Sequence, residues 1–296
     1  MKVLLPQDVP PAALGSLPSS IELTGERAPD VEFLVAGHSG ADELAQLVEE
    51  LPSLRIVQTL SAGIDWLPPI PAGVTVCNGS GIHDIPVAEW CVAAILAMNR
   101  RLPDFLALQA EGRWNRDASG PITELEGAGV LVLGHGSIGR ALEARLKPFG
   151  ARVTGVAKHE RPGVRTLAEV PGLLPHADVV VVLLPLSEGT RGLVDGRFLD
   201  RMRPGALLVN AARGGLVHTA ALEERLQADR LRAALDVTNP EPLPPEHSLW
   251  SAPNFLLTPH VAGGSTRSDE RGYRFVGDQL RRAAAGEPLL NVRGEY

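Results

Sequence analysis

The amino-acid sequence predicts an α/β protein built from two doubly wound parallel sheets. Short apolar runs rich in β-branched residues alternate with helix-forming segments, as is typical of parallel strands covered by helices on both faces. The alternation stops after residue 98 and restarts at Val130. Because 296 residues, 44% of them hydrophobic, suit two domains with a core each, this interruption predicts the passage between two domains.

The first part of the chain contains four apolar runs and two segments of helical character. The runs predict buried strands at 3–5, 33–36, 56–59 and 74–77. An amphipathic helix is expected at 41–51, where Asp42 and Glu43 supply the negative charge that suits a helix N-terminus. A long apolar helix is expected at 86–98, since Pro86 is well suited to a first turn.

The second part of the chain predicts six parallel strands, the number that a doubly wound nucleotide-binding sheet requires. They are expected at 130–133, 153–156, 179–184, 206–209, 233–237 and 255–257, with helices at 219–230 and 265–285. The last helix and its tail are too short for a domain and are expected to pack on the first one. The predicted domains are 1–96 with 268–296 for the substrate, and 97–267 for the cofactor.

The composition of the chain indicates which kinds of binding partner and which cellular compartment to expect. A net charge of −7 disfavours nucleic acids and anionic membranes as partners. No apolar run approaches the roughly 20 residues of a transmembrane helix. The apolar run at the N-terminus is too short for a signal peptide. Cys77 and Cys91 lie in apolar surroundings, so we expect reduced thiols and a cytoplasmic protein without a metal site.

A glycine-rich turn follows the strand expected at 130–133 and leads into a helix-forming segment. Gly134 permits a tight turn, Gly136 allows close approach of a pyrophosphate, and Gly139 lets helix and strand pack closely. The helix N-terminus adds N–H donors and partial positive charge. The turn therefore predicts dinucleotide binding by Gly134, His135, Gly136, Ser137, Ile138 and Gly139.

The next strand ends without the acid that usually binds the adenosine ribose. That acid accepts a hydrogen bond from the ribose 2′-hydroxyl, and here Ala157 takes its position. Lys158 and Arg161 follow, and two cations beside a small residue favour a 2′-phosphate. The alternative is a solvated basic loop whose charge Glu160 partly offsets. The sequence favours NADP(H), and NAD(H) stays possible.

Three polar residues follow three strand ends, at the sheet edge where ligands bind in this architecture. They are Arg213, Glu241 and His260. Reduction of a 2-keto acid needs a cation for the carboxylate, a proton donor for the developing alkoxide, and a group that keeps that donor charged. Each residue alone could equally be a surface side chain, but their joint placement predicts a catalytic triad. His83, before the long apolar helix, is a lesser candidate.

These motifs, in this order, resemble the D-isomer-specific 2-hydroxyacid dehydrogenases over nearly the whole length. The resemblance rests on the glycine turn, Leu184-Pro185-Leu186, Thr190-Arg191-Gly192-Leu193, Val209-Asn210-Ala211-Ala212-Arg213-Gly214, Leu235-Asp236-Val237, Glu241-Pro242-Leu243, Thr258-Pro259-His260-Val261-Ala262-Gly263-Gly264, Thr59-Leu60-Ser61-Ala62-Gly63-Ile64-Asp65 and Val87-Ala88-Glu89.

The resemblance implies a Rossmann cofactor domain, a flavodoxin-like substrate domain and a cleft between them. His260 would be the general acid and base, Glu241 would hold it charged, and Arg213 would orient the keto acid. Asp236 would lie beside the nicotinamide. Substrate contacts would come from Ser61, Ala62, Gly63, Arg213 and His260. Further cofactor contacts would come from Lys158, Arg161, Leu184, Pro185, Thr190, Ala211, Ala212, Arg213, Asp236, His260, Ala262 and Gly263.

The implied activity is reduction of small 2-keto acids, such as glyoxylate or hydroxypyruvate, to D-2-hydroxy acids. A homodimer built on the cofactor domains is implied as well, with the helix at 86–98 contributing, unless that helix simply fills the interdomain core. Substrate choice would depend on loops around His38, Ala62 and Trp66.

Two alternatives stay open at this point. One is a formate- or phosphonate-type dehydrogenase of the same superfamily, although formate enzymes have Gln where Glu241 stands. The other is a non-catalytic, nucleotide-sensing dimer. The sequence lacks the C-terminal regulatory extension of some phosphoglycerate dehydrogenases, so we expect no serine-pathway control of that kind.

Overall fold

The computed structural model describes residues 1–7, 9–37, 40–117 and 120–293. The chain divides into two compact units, Met1–His83 with the segment from Gly264 onward, and Asp84–Gly263. The sequence predicted limits at residues 96 and 267. The difference arises because the buried residues of the long apolar helix belong to a core cluster of the second unit.

The described residues form strands and helices in alternation. The strands are β1 (Lys2–Leu4), β2 (Glu22–Thr24), β3 (Val31–Ala36), β4 (Ile56–Thr59), β5 (Thr75–Cys77), β6 (Gly129–Leu133), β7 (Arg152–Ala157), β8 (Val164–Thr166), β9 (Val179–Val182), β10 (Leu207–Asn210), β11 (Arg232–Leu235) and β12 (Phe255–Leu257). The α-helices are α1 (Ala41–Glu50), α2 (Asp84–Asn99), α3 (Leu102–Ala110), α4 (Ser137–Leu146), α5 (Val170–Leu173), α6 (Gly196–Arg201), α7 (Thr219–Gln227) and α8 (Ser268–Ala285).

The first unit contains a five-stranded parallel sheet in the order β2-β1-β3-β4-β5. This is the flavodoxin-like order. Alternate residues of β3 face opposite sides, so Phe33 packs with Tyr273 of α8 while Leu34 packs with Leu44 of α1. The C-terminal helix α8 thus covers one face of this sheet.

The second unit contains a seven-stranded parallel sheet in the order β12-β11-β10-β9-β6-β7-β8. The strand order reverses between β6 and β9, which is where a doubly wound sheet binds its ligands. The predicted fold class is confirmed. The seventh strand, β8, was not predicted because it has three residues and buries only Val164.

Helix α2 is part of the core of the second unit. Its residues Ala88, Cys91 and Ile95 are fully buried and pack with Val130 and Val132 of β6. This apolar packing explains why the helix belongs with the sheet that follows it. Within the described residues, no helix combines the length and the apolar character needed to cross a membrane.

Candidate active site

A histidine and a glutamate meet beyond the carboxyl ends of β11 and β12. Nδ1 of His260 lies 2.5 Å from Oε1 of Glu241. The two side chains are 49% and 40% exposed, so both can be reached from solvent. A carboxylate at this distance accepts a hydrogen bond from Nδ1–H and holds the ring in one orientation. The pair is therefore suited to proton transfer at the opposite ring nitrogen, Nε2.

The loop that carries His260 is fastened to the end of β11 by Asp236. This side chain is 2% exposed, and its carboxylate accepts hydrogen bonds from the N–H groups of Val261 at 2.9 Å and Ala262 at 2.8 Å. The hydroxyl of Thr258 donates to it as well, at 2.5 Å. The N–H of His260 donates to the Asp236 carbonyl at 2.7 Å, while His260 itself has a left-handed backbone with φ of 54°. Asp236 thus sets the position of the histidine.

Arg213 follows β10 in a loop that a buried asparagine organises. Nδ2 of Asn210 donates to the Arg213 carbonyl at 2.9 Å, and Oδ1 of Asn210 accepts from the N–H of Ala212 at 3.0 Å. The next residue, Gly214, passes so close to the chain after β11 that a Cβ would lie 1.8 Å from the Thr238 carbonyl oxygen. Only glycine allows this approach, which brings the ends of β10 and β11 together.

The glycine turn lies at the switch point of the second sheet. Gly134 has φ of 102°, and a Cβ there would lie 2.4 Å from the Leu183 carbonyl oxygen, at the end of β9. A Cβ on Gly139 would lie 2.5 Å from the Gly134 oxygen, so this glycine permits close packing of α4. A Cβ on Gly136, immediately before α4, would have no neighbour within 4 Å. The open space beside Gly136 and the N-terminus of α4 fit a pyrophosphate.

The neighbouring strand ends complete the candidate cofactor site. Leu184 and Thr190 are buried, and Oγ1 of Thr190 donates to the Pro185 carbonyl at 2.6 Å. The N–H of Ala211 donates to the Val182 carbonyl at 3.4 Å. Ile138 packs against the apolar core of the unit, and Ser137 and Gly263 lie at the start of α4 and the end of the His260 loop. These residues belong to the strand ends and loops from which the cofactor contacts are expected.

The end of β7 carries the residues expected to select between the two dinucleotides. Ala157 is the last residue of the strand, and Lys158 and Arg161 beyond it are exposed. Nη2 of Arg161 lies 3.3 Å from Nδ1 of His135 and also donates to the His135 carbonyl. His135 is 7% exposed and also contacts a carboxylate of α4, at Glu143.

The first unit contains the loop expected to bind the substrate carboxylate. The indole N–H of Trp66 donates to Oγ of Ser61 at 3.1 Å and to the Gly63 carbonyl at 3.0 Å, with Ala62 between them. Nε2 of His83 lies 3.2 Å from the Leu60 carbonyl, at the base of the same loop. His38, one of the residues around which loops were expected to affect substrate choice, lies outside the described residues.

Three residues, each within its own unit, were not predicted from the sequence in the roles they have. They are Asn210, Glu143 and Trp66, which respectively hold the Arg213 loop, the His135 ring and the Ser61 loop. A buried asparagine directly after an apolar strand was the one available signal, because a buried amide must find partners. Among the described residues, no group of three or more His, Cys, Asp or Glu side chains could hold a metal ion.

Comparison with known proteins places this geometry in a family. Residues 92–262 match the model of the NAD-binding domain of D-isomer-specific 2-hydroxyacid dehydrogenases. The chain is 33% identical over 317 residues to D-3-phosphoglycerate dehydrogenase of Mycobacterium bovis, which covers 99% of this chain and 59% of that relative. This chain thus spans less than two thirds of the length of that relative.

Two further proteins match over most of both chains. Glyoxylate/hydroxypyruvate reductase A HPR2 of Arabidopsis thaliana is 31% identical over 262 residues, covering 86% of this chain and 83% of the relative. The crystal structure of an NADPH-dependent glyoxylate/hydroxypyruvate reductase of Sinorhizobium meliloti, in complex with NADP and sulfate, has a TM-score of 0.82 and 29% identity. That match covers 99% of this chain and 98% of the other. The family model, the relatives and the ordered strand-end residues together show that this chain belongs to the D-isomer-specific 2-hydroxyacid dehydrogenase family.

Proposed function

We propose that this protein reduces small 2-keto acids to D-2-hydroxy acids with a nicotinamide dinucleotide. The observation that carries the proposal is the 2.5 Å contact between Nδ1 of His260 and Glu241, at the same edge of the sheet as the glycine turn. A protonated histidine held by a carboxylate is the group that a developing alkoxide requires. The intact pair also favours an enzyme over a non-catalytic sensor.

The chain's own residues supply binding and proton transfer. The nicotinamide, when bound, supplies the hydride that adds to the keto carbon. Nε2–H of His260 donates its proton to the carbonyl oxygen as negative charge develops there, and Glu241 stabilises the imidazolium beforehand. Arg213 binds the substrate carboxylate with two hydrogen bonds. In the reverse direction neutral His260 accepts the alcohol proton.

The glycine turn and the end of β7 support NADP(H) as the preferred cofactor. No carboxylate follows Ala157 directly, and Lys158 and Arg161 provide positive charge where the adenosine ribose would lie. Charge-assisted contacts of about 1.5–3 kcal/mol each correspond to a preference of about ten- to a hundredfold for NADPH. NAD(H) remains the weaker alternative.

The comparisons support glyoxylate and hydroxypyruvate as the substrate class. The relatives from A. thaliana and S. meliloti are both described as glyoxylate/hydroxypyruvate reductases and match this chain over most of its length. Glu241 supports this class over formate oxidation, because formate enzymes of the superfamily have Gln at this position.

We also propose a cytoplasmic homodimer. Helix α2 directs its apolar side chains into the core of its own unit. Exposed apolar residues instead lie on α3 and after it, where Leu106 is 62% and Trp114 is 91% exposed. An exposed apolar surface of this kind suits a self-complementary contact. Cys77 and Cys91 are buried and form no disulfide bond with each other, which is consistent with a reducing compartment.

A substrate panel tests the proposal. Glyoxylate, hydroxypyruvate, pyruvate, 3-phosphohydroxypyruvate and 2-ketoglutarate are each assayed with NADPH and with NADH, and formate is assayed with NADP⁺ and NAD⁺. We expect the highest kcat/KM for glyoxylate or hydroxypyruvate with NADPH. Dinucleotide binding without turnover of any keto acid would favour a sensor, and formate oxidation alone would favour the other branch.

A further inference from the structure

The second residue of the glycine turn lies between a carboxylate and a guanidinium. Nε2 of His135 lies 2.6 Å from Oε2 of Glu143 on α4, and Nδ1 lies 3.3 Å from Nη2 of Arg161. The ring is 7% exposed and lies against β7, since a Cβ on Gly155 would be 2.5 Å from its Cγ and Cδ2 atoms. The histidine therefore packs between a helix and a strand while both ring nitrogens have partners.

The two partners determine which ring nitrogen carries the proton. A carboxylate accepts hydrogen bonds and a guanidinium only donates them. Nε2 must then carry the hydrogen that faces Glu143, and Nδ1 must offer its lone pair to Arg161. With the proton on Nδ1, two donors would face each other at Arg161 and two acceptors would face each other at Glu143. The neutral Nε2–H tautomer is the form that satisfies both contacts.

Glu143 is kept ionised in this arrangement. Burial alone would raise the pKa of Glu143, but hydrogen bonds from Lys147 and His135 outweigh it and lower the pKa below its ordinary value of 4.5. Nζ of Lys147 lies 3.0 Å from Oε1 of the same carboxylate. The charged groups around the ring are thus Glu143, Lys147 behind it, and Arg161 on the opposite side.

Arg161 is held by its side chain and by its backbone. Besides Nδ1, its Nη2 donates to the His135 carbonyl, and the N–H groups of Gly134 and His135 both donate to the Val156 carbonyl of β7. The Arg161 carbonyl accepts from the N–H of Val164 at 2.9 Å, which closes the turn into β8. The residue is nevertheless exposed, so its guanidinium can be reached by a ligand.

We propose that His135 is a positioning residue for 2′-phosphate recognition, fixed by Glu143 and acting through Arg161. The inference rests on the NADP(H) preference proposed above and assigns roles to two residues outside the catalytic pair. A guanidinium already aligned by the ring and the turn loses less side-chain entropy on binding a phosphate than a mobile one. Without the acceptor at Nδ1, Arg161 would keep its contact with the His135 carbonyl but lose the second contact that fixes the plane of its guanidinium, so it would bind the 2′-phosphate less well.

The test measures binding of adenosine 2′,5′-bisphosphate and of 5′-AMP to the protein by titration calorimetry. The Kd for 5′-AMP divided by the Kd for adenosine 2′,5′-bisphosphate measures the contribution of the 2′-phosphate, and this quotient is the ratio used below. We expect His135→Leu to lower this ratio by about three- to tenfold while the Kd for 5′-AMP changes less than about twofold. Glu143→Met, which removes the acceptor from a partly exposed position, should lower the ratio in the same direction, and both variants are checked for folding by thermal unfolding.

A double variant separates positioning from a general structural effect. Arg161→Gln should remove most of the preference, and adding His135→Leu to it should lower the ratio no further. Arg152→Gln, at the other end of β7, is the control for loss of an exposed arginine and should leave the ratio unchanged. Equal weakening of both ligands in His135→Leu, or additive losses in the double variant, would overturn the proposal.

The tautomer gives a second readout that needs no ligand. Long-range ¹H–¹⁵N spectra of histidine-labelled protein, with the His135 signals assigned by their loss in His135→Leu, should show the Nε2–H form. A ring protonated on Nδ1 would overturn the inference.

If wild-type protein does not prefer the bisphosphate, the NADP(H) preference fails and this inference fails with it. If the wild-type protein prefers the bisphosphate but turns over none of the keto acids, only the proposed reaction is overturned.

Discussion

The N–H of His260 donates to the carbonyl oxygen of Asp236 at 2.7 Å, which couples the candidate acid to the end of β11. The carboxylate of the same Asp236 accepts from the two N–H groups that follow His260 in the chain. A buried aspartate therefore shapes the loop from both its backbone and its side chain. These contacts of Asp236 position the histidine. The family resemblance implies in addition that Asp236 lies beside the nicotinamide.

Replacing Asp236 by Asn should damage both stability and activity. The amide offers one acceptor where the carboxylate offers two, so its NH₂ group would face a backbone N–H and leave buried donors unpaired. Each such group costs about 1–3 kcal/mol. We expect a lower free energy of unfolding in urea and a lower kcat. Thr258→Val removes only the hydroxyl contact and should have the smaller effect; equal stabilities of Asp236→Asn and wild type would contradict this account.

Replacing Glu241 by Gln tests the charge of the pair with little change in shape. The amide can still accept from Nδ1–H of His260, but it no longer stabilises the imidazolium. We expect kcat for keto acid reduction to fall by about 10- to 1,000-fold. Glu246→Gln removes an exposed charge from the same loop and should leave kcat unchanged. If the two variants lose activity equally, the effect of Glu241 is general electrostatics rather than its contact with His260.

Restoring an acid at the end of β7 should change the cofactor preference. The carboxylate in Ala157→Asp would repel a 2′-phosphate and accept a hydrogen bond from a ribose 2′-hydroxyl. The ratio of kcat/KM for NADPH to that for NADH should fall by about ten- to a hundredfold. Ala157→Ser adds a small polar group without charge and should shift the ratio much less. An unchanged ratio in Ala157→Asp would mean that Lys158 and Arg161 are only solvated surface charges.

The exposed apolar surface of α3 should govern self-association. Sedimentation velocity at low micromolar concentration should show a dimer for the wild-type protein. Leu106→Glu introduces a charge that an apolar interface cannot pair, and it should shift the population to monomer. Phe149→Glu changes another exposed apolar residue, 42% exposed and distant in sequence from α3, and serves as the control. A monomeric wild type, or a dimeric Leu106→Glu, would contradict the proposed interface.

Much of the fold could be predicted because its central strands are buried on both faces. The run Val179–Val182 is 0–1% exposed throughout, so it reads as a continuous apolar segment. The edge strands β2 and β8 were not predicted because each is three residues long and the two together bury only Val164. Helix α3 was missed because it buries only Leu108 and leaves Leu106 exposed, so its pattern lacks an apolar face.

The catalytic candidates could be proposed from the sequence because the carboxyl ends of parallel strands lie at one edge of the sheet. This holds regardless of how the individual side chains pack. Glu241 and His260 are 19 residues apart in the chain, yet adjacent strands bring their side chains together. The contact of His135 with Glu143 could not be predicted, since it depends on the phase of α4 and on the ring orientation over Gly155. The position of Arg161 likewise depends on a turn that ends in an unpredicted strand.

The most direct measurement is the turnover number of His260→Ala for the best keto acid, with cofactor affinity measured alongside. As the proton donor, His260 should account for about a 10²- to 10⁴-fold loss of kcat on substitution, with the Kd for NADPH nearly unchanged. His247 lies 3.5 Å from Glu223 in the same unit, so His247→Ala is a matched control that removes another histidine–glutamate pair. The account predicts near-normal turnover for that control. Near-normal turnover of His260→Ala would remove the histidine from the mechanism and contradict the central claim.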